Sequence, residues 1–505
     1  MARFMTPGVY IEEKNAFPGS AVAVETAIPV FIGYTEKAER KGKSLTGEAA
    51  RITSFAEYVE MFGQGKHHTF ILTATGPPPA PITNFSSDMV LGPAEIFYLY
   101  NCIRLFYNNG GSNCYIFSLG TYEGDGYTKP VITKSDFTKH DVFNKLKKCY
   151  ESTLILIPDF VSDRNICYEL YVDVLKHCKE TQSRFGIFDV IPKSGETLEE
   201  TWEAFRTAIG LQSLNYGAAY YPWLNTSVVQ ASEINFSNLD VATDELKIIL
   251  PEKNVATAID TWKLAVASPP AKAETADETA QRIEKENTAL HHALIASSPI
   301  YTQILAEIKN KLNLLPPSAA MAGIYSLVDS TSGVWKAPAN VSLSMVNNPA
   351  VNISNEEQQS MNIDATTGKS INVIRPFPGI GTLVWGARTL NGNSQDWRYI
   401  NVRRTMIMIG QSIKLACRAY VFEPNDANTW VTIKSMITNF LTNLWKQGAL
   451  AGATPEQAFD VQVGLGVTMT PIDILDGKLL VTAKLAIVHP AEFIVLTFQQ
   501  QQQQS

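Results

Sequence analysis

A regular alternation of strand-like and helix-like segments from residue 113 onward constrains the fold of this chain more than any other feature. Four short apolar runs, bounded by Pro, Gly or Asp, have the composition of buried strands: NCYIFSLG, STLILIPDF, RFGIFDVIP and YGAAYYPWL. The segments between them, at 136–150, 163–180 and 197–210, carry apolar residues at helical spacing. Because such alternation forms right-handed βαβ units, the middle of the chain is predicted to be an α/β domain with a mostly parallel sheet.

The last section of the chain, from residue 371, has a different pattern. Two helices are predicted there, one within 396–424 that ends at a proline and one over 425–448 with an apolar stripe. Alternating apolar residues at 459–467 and 479–487, on either side of an Asp-Gly turn, predict two antiparallel strands. The C-terminal domain is therefore predicted to be α+β, with two helices and a small antiparallel sheet.

These patterns divide the chain into a succession of parts. From the N-terminus they are an extended arm (1–27), an N-terminal portion with an outward insertion (28–112), the α/β middle domain with an acidic helical insertion at about 240–287 (113–354), a polar linker (355–370), the C-terminal domain (371–490), and a strand with a glutamine-rich tail (491–505). The arm is assigned because its short β-like runs are interrupted by Pro and Gly.

Composition excludes several classes of protein. A length of 505 residues predicts two to four domains. No apolar run approaches the roughly 20 residues of a membrane span, and the first residues lack the pattern of a secretory signal. The six cysteines form no CxxC pair and are interpreted as free thiols of a reducing compartment. A net charge of -7 argues against nucleic-acid binding as the main function.

Two motifs invite a ligand-binding interpretation that the residues do not support. The Gly42-Lys43-Ser44 triplet lacks the glycine that a phosphate loop needs five residues earlier. His67-His68 and His291-His292 are adjacent pairs, and neighbours in sequence point apart, so neither pair chelates one ion unaided. We interpret these histidines as surface or loop residues, and no metal or other cofactor is predicted.

Two aspartates lie where an open α/β sheet places its active-site carboxylates. Asp159 and Asp189 each follow a predicted strand at its C-terminal end. No motif pairs either of them with a nucleophile or a base. A role in capping or turning the chain is therefore favoured over catalysis.

The C-terminal section is more basic than the rest of the chain. From residue 371 to the end, eleven Lys and Arg stand against eight Asp and Glu, a charge of +3 that leaves -10 for the remainder. A basic section on an acidic chain predicts an acidic protein partner on that side.

The final strand is apolar on both faces. Phe493 and Val495 alternate with Ile494, Leu496 and Phe498. Such a strand needs cover on both sides and a paired edge, and it promotes aggregation when it is left free.

Several ordered segments resemble the contractile tail sheath family of contractile phages, R-type pyocins and extracellular contractile injection systems. The similarity runs from residue 316 to the end and includes the N-terminal arm. Its segments are TPGVYIEE (6–13), PPSAAMAGIYSLVDSTSGVWKAPAN (316–340), INVIRPFPGIGTLVWGARTL (371–390), DWRYINVRRTMIMIGQSIK (396–414), FEPNDANTW (422–430), LWKQGALAGATPEQAF (444–459) and DILDGKLLVTAKLAIVHPAEFIVLTFQQ (473–500).

The resemblance implies a structural protein that is not an enzyme. Sheath subunits of this family stack as hexameric rings around an inner tube, on a baseplate and under terminator or cap proteins. The sheath then contracts from a metastable extended state and drives the tube through a target envelope. The resemblance implies no cofactor, no nucleic acid and no direct membrane insertion. It implies assembly in the bacterial cytoplasm, as part of a phage tail or of a tail-like particle that is released in some systems.

The resemblance also implies which residues join the subunits. In the family, the N-terminal arm and the C-terminal strand complete a small sheet of neighbouring subunits. The residues that correspond here are Gly8, Val9, Tyr10, Ile11, Glu12, Glu13, Phe493, Ile494, Val495, Leu496 and Phe498. The helix that begins near Thr429 is similar to the tube-facing helix, so Lys434 and Lys446 are candidates for inner-tube contact. In the alternative interpretation, its stripe is ordinary core and its lysines are solvated.

Two other functions stay open at this stage. An enzyme of unknown substrate on the α/β domain is favoured only by the fold, and the fold alone does not supply a function. A static tube or capsid component is the second alternative. It differs from a contractile sheath in having a single length and diameter.

Overall fold

The structure of the chain is a computed structural model that describes residues 21–74, 89–93, 96–122, 132–250, 252–268, 275–364 and 366–496. The chain divides into two compact units. The larger unit comprises Ala27–Leu327 and Pro338–Arg398, and the smaller comprises Met1–Thr26, Val328–Ala337 and Tyr399–Ser505.

The larger unit is built on an eight-stranded sheet. The strands of this unit are β1 (Pro29–Thr35), β2 (Glu39–Arg40), β3 (Lys43–Ser44), β4 (Ala49–Ile52), β5 (Phe70–Ala74), β6 (Met89–Pro93), β7 (Cys114–Thr121), β8 (Leu154–Leu156), β9 (Phe185–Asp189), β10 (Gly217–Tyr221), β11 (Leu224–Thr226), β12 (Leu314–Leu315), β13 (Val346–Pro349), β14 (Ile371–Phe377) and β15 (Gly381–Val384). The order in the large sheet is β15-β14-β10-β9-β8-β1-β7-β4.

Six neighbouring strands of this sheet, from β14 to β7, run parallel, and the edge strands β15 and β4 are antiparallel. Every residue of β1 is buried, as expected for a parallel strand with both faces covered. Phe31 pairs with Ile116 on one side and with Leu156 on the other. The mostly parallel α/β sheet predicted from the alternation is confirmed.

Twelve helices among the described residues begin in the larger unit. They are α1 (Phe55–Phe62), α2 (Leu99–Asn108), α3 (Ser135–Lys139), α4 (Val142–Lys148), α5 (Arg164–Thr181), α6 (Leu198–Ala208), α7 (Thr243–Ile249), α8 (Lys253–Ala267), α9 (Ala276–Ser297), α10 (Pro299–Leu312), α11 (Ser318–Ser332) and α12 (Asn355–Asn362). Helices α7 to α10 form the insertion and share an apolar cluster that includes Ile259, Leu294 and Ile304. The same cluster includes Phe70 of β5 and Val229, so the insertion shares its core with other parts of the larger unit. It extends beyond the predicted end at 287, which falls inside α9.

The smaller unit is α+β, as predicted. Its helices are α13 (Ile400–Cys417), α14 (Ala427–Lys446), α15 (Pro455–Ala458) and α16 (Pro471–Leu475), and its strands are β16 (Phe459–Val463) and β17 (Val481–Leu485). The described end of the predicted arm, residues 21–26, also belongs to this unit. Ala21 lies in its core, and the Val24 amide donates a hydrogen bond to the Ser412 hydroxyl at 3.0 Å.

The division between the units differs from the predicted boundary at residue 371. Strand β14 begins at that residue but pairs in parallel with β10 of the large sheet, with Ile371 opposite Ala219. The smaller unit begins at Tyr399 instead. Likewise, β1 is an inner strand of the large sheet, although residues 28–112 were predicted to be separate from the α/β domain. Both differences arise because strands paired in a parallel sheet are distant in sequence, so no local pattern shows the pairing.

Asp159 has the structural role that the sequence favoured. Its carboxylate is buried and accepts hydrogen bonds from the backbone N–H groups of Tyr34 (2.7 Å), Tyr98 (2.7 Å) and Leu99 (2.8 Å). The last two groups belong to the start of α2, whose first N–H groups lack partners within the helix. The carboxylate therefore caps a helix and ties it to β1.

Asp189 has a similar role at the end of β9. It accepts a hydrogen bond from the Ser318 backbone N–H at 2.7 Å, at the first residue of α11. Burial raises the pKa of this carboxyl to about 7, and the hydrogen bonds from Ser318 oppose the rise. Both candidate carboxylates thus bind helix N-termini.

Substituting Asp159→Ala is expected to lower the free energy of unfolding by roughly 3 to 5 kcal/mol, because two buried N–H groups and one partly buried N–H group lose their acceptor. Urea unfolding of the purified chain measures the loss. The control is Asp163→Ala, which removes an exposed cap of α5 and should cost about 1 kcal/mol. Equal losses of unfolding free energy in the two variants would show that Asp159 stabilises the fold no more than an exposed helix cap does.

Candidate assembly surface

The β16–β17 hairpin is a sheet of only two strands. Phe459 lies opposite Leu485, Val461 opposite Ala483, and Val463 opposite Val481. Within the described ranges no third strand joins them, so each strand has one edge that pairs with no other strand. An unpaired edge is a row of backbone donors and acceptors that another chain can bind.

The two faces of the hairpin differ. Phe459 and Val461 are buried in a core formed with α14. On the other face, Asp460, Thr482 and Lys484 are exposed. A strand added at either edge therefore finds an apolar surface on one face of the hairpin and a polar surface on the other.

Helix α14 buries its apolar stripe in the same core. Ile433, Ile437 and Leu441 are buried, which agrees with the interpretation of the stripe as domain core. Lys434 and Lys446 are exposed on the remaining surface, and no described residue forms an ion pair with either. The helix thus presents two cations, on a surface otherwise rich in Thr, Asn and Ser, to whatever lies next to it.

The terminal segment leaves this core and becomes exposed. Ile487 is buried and forms a bridge with Leu450, and the Tyr399 hydroxyl donates a hydrogen bond to the Glu492 carboxylate at 3.0 Å. The next four side chains, Phe493 to Leu496, are 68 to 86% exposed and belong to no strand. Four consecutive apolar side chains are therefore solvated in the single chain. Phe498 and Gly8 to Glu13 lie outside the described residues.

A buried ion pair fixes the smaller unit, and the sequence analysis missed it. The Arg404 guanidinium binds the Asp329 carboxylate through two hydrogen bonds of 2.9 and 2.5 Å, with both side chains almost fully buried. One turn before, the Asn401 amide donates to the backbone carbonyls of Trp335 and Val488. These contacts bind α13 to the 328–337 segment and to the start of the terminal segment. The sequence feature that could have indicated the ion pair is the Arg403-Arg404 pair, which stands just before the apolar run of α13.

Metal-ligating clusters and helices of membrane-spanning character are absent from the described residues. They contain no group of three His, Cys, Asp or Glu side chains placed to hold a metal ion. None of the helices there combines the length and apolarity of a membrane span. All six cysteines are unpaired with one another, and four of them are buried.

His68 differs from its interpretation as a surface or loop residue. Its ring is buried, and Nε2 accepts a hydrogen bond from the Phe97 backbone N–H at 3.0 Å. Burial lowers the pKa of His68 to about 4. The neutral ring is a structural acceptor within the larger unit.

Comparisons with known proteins agree with this architecture. The family model described as the phage tail sheath C-terminal domain matches residues 393–501. The tail sheath protein of Vibrio phage KVP40 is 28% identical over 190 residues, which cover 36% of this chain and 26% of that protein. The match thus spans about a quarter of the length of this curated relative.

Several solved structures match nearly the whole chain, and two of them illustrate the similarity. One is the sheath complex of an extracellular contractile injection system, PVC, in its contracted state, at 26% identity and a TM-score of 0.59, covering 99% of each chain. The other is a chain of the baseplate of the anti-feeding prophage, solved by cryo-EM with 6-fold symmetry, at 28% identity and a TM-score of 0.58, covering 99% of this chain and 100% of that one.

The fold is that of a contractile sheath subunit, and the open hairpin lies in the region that the family model matches. Residues 393–501 match the phage tail sheath C-terminal domain, and nearly the whole chain is similar to contractile sheath proteins. The resemblance to contractile sheath proteins and the fold predicted from the sequence are thereby confirmed.

Replacing Arg404 with Ala is expected to destabilise the smaller unit by roughly 3 to 5 kcal/mol, because the Asp329 carboxylate stays buried without its cation. The effect is measured by thermal unfolding and by the rate of amide hydrogen exchange in residues 399–488. Lys484→Ala is the control, since it removes an exposed ion pair of 4.0 Å to Asp460 worth at most about 1 kcal/mol. A loss for Arg404→Ala no larger than the control's would contradict a structural role of the buried pair.

Proposed function

We propose that the chain is the sheath subunit of a contractile injection system. Copies of it polymerise as stacked hexameric rings around an inner tube, on a baseplate and beneath a terminator or cap protein. The single observation that carries the proposal is the open β16–β17 hairpin together with the exposed apolar terminal segment of the same unit. The similar chains come from a sheath complex and from a baseplate solved with 6-fold symmetry, which supports this assembly.

Strand addition is the physical basis of the polymer. None of the eight residues from Ala491 to Phe498 is proline, so each has a backbone N–H group. The terminal segment is therefore able to pair along an open sheet edge. Gly8 to Glu13 provide a second such strand. Because main-chain hydrogen bonds at a sheet edge tolerate tilting of the attached domains, subunits joined in this way stay connected while their bodies move.

We attribute contraction to two alternative packings of the same lattice of subunits. Subunits that assemble in a metastable extended lattice store free energy, and the switch of one ring to the stable packing favours the switch of the next. The exchanged strands keep the rings joined during the switch. No nucleotide is hydrolysed by the subunit, in agreement with the absence of a phosphate loop from its sequence.

The exposed cations of α14 are proposed to face the inner tube. Lys434 and Lys446 lie on the solvated surface of a helix whose opposite surface is fixed in the core. An acidic tube wall would bind such a surface in a salt-dependent way, as expected for exposed charges.

An enzymatic function has no support from a specific observation. The carboxylates that an α/β enzyme would use, Asp159 and Asp189, are hydrogen-bonded to helix N-termini. A sheath that assembles in the bacterial cytoplasm and acts within a phage tail or a tail-like particle fits the residues better.

Deleting residues 491–505 is expected to leave a folded subunit that does not polymerise, because the hairpin of each copy then lacks the strand that completes it. Negative-stain microscopy and sedimentation of the purified variant measure assembly, and circular dichroism checks the fold. Deleting 501–505 alone removes only glutamines and a serine, and it serves as the matched control that still polymerises. Full-length cylinders from the longer deletion would contradict strand exchange.

Charge reversal at Lys434 and Lys446 together is expected to weaken binding of the inner tube by tenfold or more at low salt, equivalent to about 1.4 kcal/mol, while subunits remain folded. Co-sedimentation with preformed tubes over a salt series measures the affinity. Charge reversal at Lys253 in the helical insertion is the control. Unchanged tube binding in the double variant would place the tube contact on another surface.

A further inference from the structure

The smaller unit exposes a second apolar surface at the ends of two loops. The loop between α13 and α14 carries Val421 and Phe422, and the loop between β16 and β17 carries Leu465, Val467, Ile472 and Leu475. All six side chains are at least half exposed, and we call them the apolar tip. A hydrogen bond of 3.0 Å from the Asn425 amide to the Lys478 carbonyl joins the two loops.

Phe422 occupies a backbone position that suits glycine. The Glu423 N–H donates to the Tyr420 carbonyl at 3.2 Å, which closes a four-residue turn. Val421 has φ -69° and ψ 127°, and Phe422 has a φ of 74°. These angles define a type II turn, whose third residue is normally Gly or Asn because a side chain with positive φ is strained.

The strained side chain is also fully exposed, with a relative exposure of 101%. Within the single chain, Phe422 therefore has a backbone cost without any packing benefit. The turn is closed by its own backbone hydrogen bond, and the loop that follows it is joined to α14, since the Trp430 indole N–H donates to the Asn425 side-chain oxygen at 2.7 Å. A strained aromatic residue that packs on nothing in its own chain is the pattern of a residue kept for an interaction.

The terminal segment of the same chain does not reach the tip. Glu492 is bound to Tyr399, at the N-terminal end of α13, whereas the α13–α14 loop follows the other end of that helix. The 18 residues of α13 span about 27 Å. The four residues from Phe493 to Leu496 extend by at most about 14 Å beyond Glu492. If these four residues cover the tip, they must therefore come from another copy.

Two observations favour that occupant. The terminal segment is apolar on both faces, while the hairpin offers an apolar surface on one face only, so the added strand needs a second apolar cover. The two loops of the tip also carry four acids and two bases, namely Glu423, Asp426, Asp473, Asp476, Arg418 and Lys478. This net negative charge disfavours an acidic tube and is compatible with an uncharged apolar segment.

We propose that the apolar tip docks a second copy of this chain by covering the exposed face of its terminal segment, Phe493 to Leu496, with Phe422 as the central anchor. The proposal rests on the strand exchange proposed above, and it adds the surface that covers the outer face of the exchanged strand. The tip is then a sheath–sheath contact and no part of the tube-facing surface.

Phe422→Gly separates this function from folding. Glycine relieves the strained turn, so the melting temperature of the subunit should stay unchanged or rise. Loss of the anchor should raise the protein concentration needed for polymerisation by at least about tenfold. Leu211→Ser, which removes another exposed apolar side chain in the larger unit, is the control with unchanged assembly. Polymerisation of Phe422→Gly at the wild-type concentration would overturn the proposal.

A photo-crosslinking residue at position 422 of assembled sheaths identifies the occupant. The expected adduct joins two copies, with the second attachment mapped to residues 491–498. Crosslinks to the tube protein, or to no protein, would contradict the proposal. If the deletion of 491–505 polymerises normally, strand exchange itself fails. If that deletion blocks assembly and Phe422→Gly does not, only the role of the tip fails.

Discussion

The open edges of the β16–β17 hairpin are the constraint on which the rest of the smaller unit depends. Five pairs of residues face one another across the hairpin, and the described chain offers nothing further to pair with either strand. Backbone groups at a sheet edge bind any strand of suitable shape, so an isolated hairpin is a liability unless a specific partner occupies it. The core under it is rigid, because α14 packs on β16 and the Arg404–Asp329 pair fixes α13.

The larger unit meets a different demand. The four central parallel strands, β1, β8, β9 and β10, are fully buried, and buried carboxylates at strand ends bind the first N–H groups of α2 and α11. Such a unit resists deformation, since any local change leaves buried polar groups unpaired. In the assembly proposed above, a subunit that transmits force from one ring to the next would benefit from this rigidity, while the exchanged strands would supply the freedom to tilt.

The sequence predicted the parts of the fold that depend on local patterns. The strands of the alternating section, the two C-terminal helices and the hairpin were all predicted, because hydrophobic period reports burial directly. The partner of β14, some 150 residues earlier in β10, left no local pattern, and the domain boundary was therefore placed too early. The exposure of the terminal segment follows from its composition, but the strain at Phe422 and the burial of Arg404 depend on tertiary packing that no spacing of residues reveals.

The most direct test of the account is a cryo-EM structure of cylinders assembled from the purified chain, at a resolution that traces the backbone. The account predicts that the β16–β17 hairpin becomes the centre of a larger sheet, with residues 491–498 of another copy paired along one edge. A hairpin that remains two-stranded, with the terminal segment folded onto its own subunit, would contradict it.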